Sequence, residues 1–333
     1  MSSKPIASLS LDLDNKWSYL KTHGDEDWES FPSYFDLVVP RFLEFFKERN
    51  LKITVFIVGQ DAVLEKNHDS LSWIAEDGHE IGNHSFNHEP WLHLYSPSEL
   101  NREFEQAEAA IHAVTGKRTV GFRGPGFSLS NEVLGTMIRR GYEYDCSIFP
   151  TYLGPIARAY YFFTAQLSKS QKEERKTLFG TWKDGLQSNE PSQWVLGQDK
   201  LLEIPVTTMP FFKVPIHISY VMYLAGYSRK IARAYFWTSL RMCRWAGIEP
   251  SILLHPLDFM GGEDDGDLGF FPAMNQSAQD KVDLLSDCIA MLTKQFEVVT
   301  MREHAASLAG STMSLRSVNE APAGVTGELA QSK

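Results

Sequence analysis

Short apolar runs rich in β-branched residues alternate with stretches of helical period from Ile6 to Cys146, and this alternation restricts the fold more than any other property of the chain. Ile6 to Asp14 alternates like a buried strand, Phe35 to Asn50 sets Leu37, Val38, Phe42, Phe45 and Phe46 at helical spacing, and Ile53 to Val58 reads as strand again. Asp69 to Glu76 reads as a helix stopped by Gly78, and Ile81 opens the next strand. Ser96 to Val114 follows as a helix with Ser96 and Glu99 in capping-box spacing and Gly116 as its stop. Thr119 to Phe122, Asn131 to Arg140 and Tyr142 to Cys146 then give strand, helix and strand. Strands separated by helices pair in parallel, so the expected class is α/β, and the repetition favours closure into a distorted (β/α) barrel.

Beyond Cys146 the alternation lapses over about 151–200, which is expected to be an irregular insert. It resumes with Leu201 to Thr207, where Pro205 predicts a bulge or an edge. A helix over Tyr227 to Ala246, a strand over Ser251 to His255, a helix over Gln276 to Gln295 and a last strand over Phe296 to Thr300 complete one domain, 1–305. Residues 306–333 read as a disordered tail. Asn15 to Tyr34 is long for a connection and reads as a lid or a surface loop. A chain of 333 residues, 43% hydrophobic and 22% charged, suits a sizeable core, and a net charge of -10 argues against general nucleic-acid binding. Cys146, Cys243 and Cys288 lack ligand-like spacing, and Met1 to Pro5 holds no apolar stretch, so the expectation is a cytoplasmic protein with core cysteines.

In a (β/α) barrel the C-terminal ends of the strands share one rim, so polar residues far apart in sequence meet there. His84 and His88 are four residues apart, a spacing that lets two imidazoles converge on one cation across a helical turn. Asp14, at the end of the first strand, can supply a third ligand, and Asp12 lies on the same strand face because residues i and i+2 share it. Two histidines and a carboxylate with open positions form the ligand set of a water-activating ion, and the spare aspartate is a candidate base. Arg123, Asp145 and His255 also sit at or just after strand ends.

Taken together these clusters resemble the polysaccharide deacetylase family of metal-dependent carbohydrate esterases. The resemblance rests on Asp12-Leu13-Asp14, His84-Ser85-Phe86-Asn87-His88, Arg123-Gly124-Pro125 followed by Gly126, Tyr144-Asp145-Cys146-Ser147 and Leu253-Leu254-His255. It implies a barrel of about seven strands and a divalent metal on Asp14, His84 and His88, zinc first, with cobalt, nickel, manganese or iron as alternatives. It further implies Asp12 as general base, His255 as general acid, Arg123 orienting Asp12, and Asp145 tuning His255, with Asp258 as the rival for that last role. Pro125 and Gly126 belong to the substrate loop, where the Gly126 amide would help hold the oxyanion. The activity implied is hydrolysis of an N-acetyl or N-formyl group on an amino sugar. Two other readings are a hydrolase of small linear or cyclic amides on the same fold and a non-catalytic metal-bound binding module. The common aspartate pair without a residue between, and a tryptophan in the fourth motif, are absent, which bears on sugar binding more than on the chemistry.

Between residues 211 and 250, six cations, Lys213, Arg229, Lys230, Arg233, Arg241 and Arg244, face only Glu249, a local balance of +5. On a helix Arg229, Arg233, Trp237, Arg241 and Arg244 form one stripe, with Ile231, Ala234, Tyr235, Thr238, Met242 and Trp245 mostly opposite. Such a segment can lie on an anionic membrane, with Tyr160 to Phe163 as a second contact, which leads to the expectation of a polyprenyl-lipid-linked amino sugar handled at the cytosolic face. His217 reads as structural, and the acidic run Glu263 to Asp267 as a solvated loop.

Overall fold

The computed structural model describes residues 4–156 and 181–318. Its strands are β1 (Ile6–Leu13), β2 (Thr54–Ile57), β3 (Glu80–Asn83), β4 (Gly121–Phe122), β5 (Tyr144–Asp145), β6 (Ser192–Leu196), β7 (Asp199–Glu203), β8 (Ser251–Leu254), β9 (Glu297–Val299) and β10 (Ser314–Ser317). Within the ten-stranded sheet β6 and β10 extend past β7 and β9 pairs with β1, and the central run β7-β5-β4-β3-β2-β1-β8 has every neighbouring pair parallel. Its two ends meet just beyond β7, where Thr207 N–H donates to the Ser251 carbonyl at 3.0 Å and Ser251 N–H donates to Thr207 Oγ1 at 2.8 Å. Seven strands thus form a distorted (β/α) barrel with one thinly bonded seam. Pro205, which has no N–H to donate, lies in the stretch where regular pairing stops.

Alternation along β1 separates two cores. Ala7, Leu9, Leu11 and Leu13 face the surrounding helices, among them Phe35–Glu48, which buries Phe35, Val38, Val39, Phe42, Phe45 and Phe46 on one side. Ser8, Ser10 and Asp12 share the opposite face, toward the barrel interior. Phe56, Val120, Tyr144, Cys146, Ile204 and Met301 pack together as a separate cluster. Room for those rings comes from glycine: a Cβ on Gly121 would stand 2.0 Å from the Tyr144 ring and one on Gly82 2.4 Å from Phe56. Helix Pro97–Thr115 starts on the expected Ser96/Glu99 capping box and stops at Gly116, whose φ of 66° suits glycine.

Helix Met301–Ser307 closes the floor, with Met301 and His304 fully buried. Ser8 Oγ lies 2.9 Å from His304 Nδ1. Glu249 stands 3.7 Å from Nε2, yet that nitrogen has no hydrogen bond and burial pushes the imidazole down to about 4, so it is neutral. The folded protein therefore binds fewer protons here than the unfolded chain between about pH 6.5 and 4, and stability falls as pH drops through that window. Urea titrations should show a loss on the order of 2–3 kcal/mol from this site between pH 7 and 4, and His304→Leu should flatten that part of the profile.

Four segments differ from the sequence expectation. Asn15 to Tyr34 is no free loop: Asn15 caps helix Lys16–His23, a 3-10 turn covers Glu26–Ser30, and Trp17 is buried with its indole N–H on Asp61 at 2.9 Å. The described part of the insert contains the β6–β7 hairpin, and the stretch read as a tail supplies β10, which pairs with β6, its unalternating composition having hidden a short edge strand. Residues 160–163 and 319–333 lie outside the described residues. Helix Arg229–Ala246 buries Ala232, Phe236, Ser239, Leu240 and Cys243, leaving Ile231, Trp237 and Trp245 outside at 63%, 51% and 80% exposure. Trp237 is thus exposed within the arginine stripe as expected, whereas Ile231 and Trp245, read as mostly opposite that stripe, are exposed as well.

Candidate active site

The parallel register levels the strand ends: Asp12 pairs with Phe56, Ile57 with Asn83, Asn83 with Phe122 and Phe122 with Asp145. Asp14, His84, Arg123 and His255 each follow within two residues of a strand end. His84 and His88 are not on a helical turn. They lie on a loop in which Ser85 and His88 take φ of 64° and 53°, a left-handed conformation that costs free energy and needs support. Support comes from buried Glu103 of the helix Pro97–Thr115, which accepts from Phe86 N–H at 2.9 Å, Asn87 N–H at 2.6 Å and the Asn87 amide at 2.7 Å. Ser85 Oγ accepts from His88 N–H at 3.1 Å.

The loop brings His88 Nε2 to 2.9 Å and His84 Nε2 to 3.3 Å from Asp14 Oδ1, and the ligand atoms of all three lie within 4.8 Å of one another. His84 Nδ1 donates to the Arg123 carbonyl at 2.7 Å, which leaves the Nε2 lone pair aimed at Asp14. Asp14 Oδ1 is buried and has no hydrogen bond of acceptable geometry. Two electron pairs directed at each other in a buried place require a cation or an extra proton between them. Burial pushes the Asp14 carboxyl up, but His88 and His84 outweigh it and hold it well below the carboxylate range. Burial pushes His84 down, but Asp12 and Asp14 overcome this and raise it. Two imidazole nitrogens and a carboxylate oxygen with the rest of the shell open fit a divalent transition metal.

Asp12 sits beside this cluster, its Oδ2 4.0 Å from His84 Nε2. Its Oδ1 accepts from Arg123 Nη1 at 2.7 Å, and the same nitrogen donates to Ser10 Oγ at 2.8 Å. Arg123 is wholly buried, donates from Nε to the Cys146 carbonyl at 3.1 Å and lies over the Phe56 ring at 4.6 Å. The 3-10 turn Pro125–Phe127 follows, with Gly126 and Phe127 both left-handed at φ of 57° and 62°. Its first bonded amide is that of Phe127, so the Gly126 N–H falls outside the turn's own bonding.

His255 and Asp145 are engaged by different partners. His255 Nδ1 lies 3.0 Å from Ser219 Oγ, and its backbone N–H donates to Asp258 Oδ2 at 2.8 Å. Burial pushes Asp258 up against the opposing influence of His255 and of a hydrogen bond from Ser219. Asp145 instead accepts from Ser147 Oγ at 2.7 Å and from Ser147 N–H at 3.1 Å, and it bonds Glu203. Burial raises both carboxyls, and Asp145 raises Glu203 further while the hydrogen bond from Glu203 works against the rise of Asp145, the pattern of a carboxyl that donates to a carboxylate. Asp145 is thus engaged away from His255, whose bonded partners are Ser219 and, through its backbone, Asp258, the rival named for that place. The physical reason is that β7 stands between β5 and β8 and sets Glu203 directly opposite Asp145. Asp145 acts on the substrate loop instead, because Ser147 Oγ also accepts from Gly124 N–H at 2.8 Å. Glu103, Glu203 and Ser219 are absent from the sequence reading. Only Glu103 left a signal, as a charge among Leu100, Phe104 and Ala107 on the buried side of its helix.

Against known proteins, the polysaccharide deacetylase family pattern matches residues 28–144, which include the His84–His88 loop and Arg123-Gly124-Pro125. Residues 28–144 thus carry the pattern of the polysaccharide deacetylase family. A peptidoglycan deacetylase of Helicobacter pylori is 26% identical over 152 residues, 44% of this chain and 51% of that protein. A peptidoglycan-N-acetylglucosamine deacetylase of Bacillus cereus is 32% identical over 95 residues, 28% and 34% of the two chains. The chain thus spans about half or less of the curated relatives it matches. A solved structure of a candidate polysaccharide deacetylase from Mycobacterium smegmatis shares the fold, with a TM-score of 0.63 and 18% identity over 95% of this chain and 94% of that one. Asp12, Asp14 and His255 fall outside the matched segment. Geometry joins the two aspartates to the matched residues, through the Asp14 cluster with His84 and His88 and the Asp12 pair with Arg123.

Proposed function

We propose that this chain removes an N-acyl group, acetyl or formyl, from an amino sugar by hydrolysis, with a divalent ion on Asp14, His84 and His88. The observation that carries the reading is the Asp14 Oδ1 atom, buried and unbonded between two imidazoles, with the arginine-held Asp12 next to it. When bound, such an ion supplies Lewis acidity toward the acyl oxygen and lowers the pKa of a water. The chain's own groups do the rest. Asp12, its geometry fixed by Arg123, accepts the proton of the attacking water. The Gly126 N–H meets the negative charge that develops on the acyl oxygen, and removing such a donor typically costs roughly 10²–10³ in rate. His255 delivers a proton to the departing amine, its ring held by Ser219 and its backbone by Asp258. An amide nitrogen leaves poorly without that proton, so the acid matters as much as the base. The test is release of acetate or formate from N-acylated amino sugars, soluble and lipid-linked. Release abolished by chelator supports the reading, whereas release that ignores chelator, or its absence from every substrate, contradicts it.

A second element of the proposal is that the substrate is lipid-linked and met at an anionic bilayer. What favours it is the helix Arg229–Ala246, whose exposed side carries Ile231, Trp237 and Trp245 beside Lys230 and Arg241. Arg229 and Arg233 are held by Asp287 at 3.1 and 3.5 Å, which leaves less of their charge for lipid. No helix among the described residues is long and apolar enough to cross a membrane, so the contact would be peripheral. In flotation with anionic vesicles the protein should rise with the lipid in low salt, and K230E together with R241E should cut the floated fraction severalfold. Failure of the unaltered protein to float removes this element and leaves the deacylase reading intact.

A further inference from the structure

A cavity of about 460 Å³ opens beside the candidate catalytic groups, within the roughly 300–1,000 Å³ usual for small-molecule sites. Its lining includes Gly126 and Ser219, the residues assigned to the oxyanion and to His255. Its wall is built mainly from Phe127, Leu129, Phe149, Ile156, Tyr220 and Phe271. Most polar side chains that reach it are engaged: Ser219 with His255, Ser147 with Asp145, Thr151 with the Lys213 carbonyl at 3.0 Å, and Asp184 with the Thr181 N–H and the Gln187 amide, while His217 Nδ1 is left without a hydrogen bond. His217 is also there and is neutral, pushed down to about 3 by burial and by His255. A sugar ring pressed against this mainly apolar wall would leave most of its hydroxyls without partners, a loss that polar groups avoid. A hydrocarbon chain would lose nothing and would leave water. Ile156, 65% exposed, also lines the cavity, as does Tyr223, whose hydroxyl lies 2.8 Å from that of Tyr227, just before the basic aromatic helix.

We propose that this cavity is a subsite for a hydrocarbon chain carried by the substrate. The inference rests on the deacylase reading and adds to it the class of group that occupies the space next to the scissile bond. The chain can belong to the acyl group or to a lipid aglycone, and the substrate decides which. Each methylene moved from water into the cavity is worth about fourfold in kcat/KM.

Two substrate series separate the sources. One lengthens the N-acyl group of a soluble glucosamine from acetyl to octanoyl. The other keeps N-acetyl and lengthens the aglycone from methyl to octyl, below micelle-forming concentrations. A rise of roughly hundredfold or more across one series supports the subsite and names the source. Leu153 lines the cavity and is only half-buried, so Leu153→Trp can fill it without crowding the core. That variant should lose the chain-length dependence, and Leu153→Ala, which enlarges the space, should keep it. Turnover of acetylated sugars with both series flat overturns the subsite while leaving the deacylase reading standing. Dansyl-undecanoic acid reads the cavity without catalysis: fluorescence enhancement lost in Leu153→Trp supports the subsite, and no enhancement with the unaltered protein overturns it. Enhancement combined with no acyl release from any substrate keeps the cavity and removes the catalytic reading.

Discussion

Replacing Arg123 with methionine is expected to lower the unfolding free energy by about 3–5 kcal/mol, the usual result of stripping one partner from a buried ion pair. Arg123 is wholly buried and Asp12 nearly so, and the 2.7 Å contact between them, with the 2.8 Å bond to Ser10, ties β1 to the loop after β4. With the guanidinium gone, the buried Asp12 carboxylate would lose its paired charge and the contact that fixes its geometry, and with them its place as proton acceptor. Stability and catalysis therefore fail together in this variant. Urea denaturation in chelator reads the first effect and acyl release the second. Adding Asp12→Leu should restore most of the lost stability, since an apolar pair of similar volume avoids the stranded charge, while activity stays absent. A single variant as stable as the parent would show that the pair contributes little to the fold.

Asp12→Asn separates the two roles. Asparagine keeps the shape and can still accept from Arg123, but it cannot take a proton, so kcat should fall by roughly 10²–10⁴. KM and bound metal should change little, because Asp12 is outside the ligand set that Asp14, His84 and His88 form. A variant retaining a tenth or more of the parent rate would transfer the base role to another group.

Much of this arrangement was legible in the chain because it depends on short-range rules. Alternation along Ile6–Leu13 fixes which side chains face inward, and the capping box at Ser96 and the glycine stops at Gly116 and Gly141 mark helix ends almost to the residue. The inward step of two from Asp12 to Asp14 likewise follows from strand geometry. What could not be read depends on contacts between distant segments. Glu203 reaches Asp145 only because β7 enters the ring next to β5, and no local pattern announces that neighbour. Ser219 meets His255 across 36 residues of sequence, and a lone serine carries no signal. The helix Arg229–Ala246 misled for a different reason. Trp237 faces outward within the arginine stripe as read, but Ile231 and Trp245, read as mostly opposite it, face outward too, a choice that composition cannot reveal when both sides of a helix are rich in apolar side chains.

The central claim is that Asp14, His84 and His88 together hold one ion. Metal content of the purified protein, measured beside Asp14→Ala, His84→Ala and His88→Ala after equal exposure to zinc and dialysis, tests it most directly. About one equivalent of metal in the parent and a small fraction of that in each variant is the predicted result. Full occupancy in any of the three variants, or no retained metal in the parent, would contradict it.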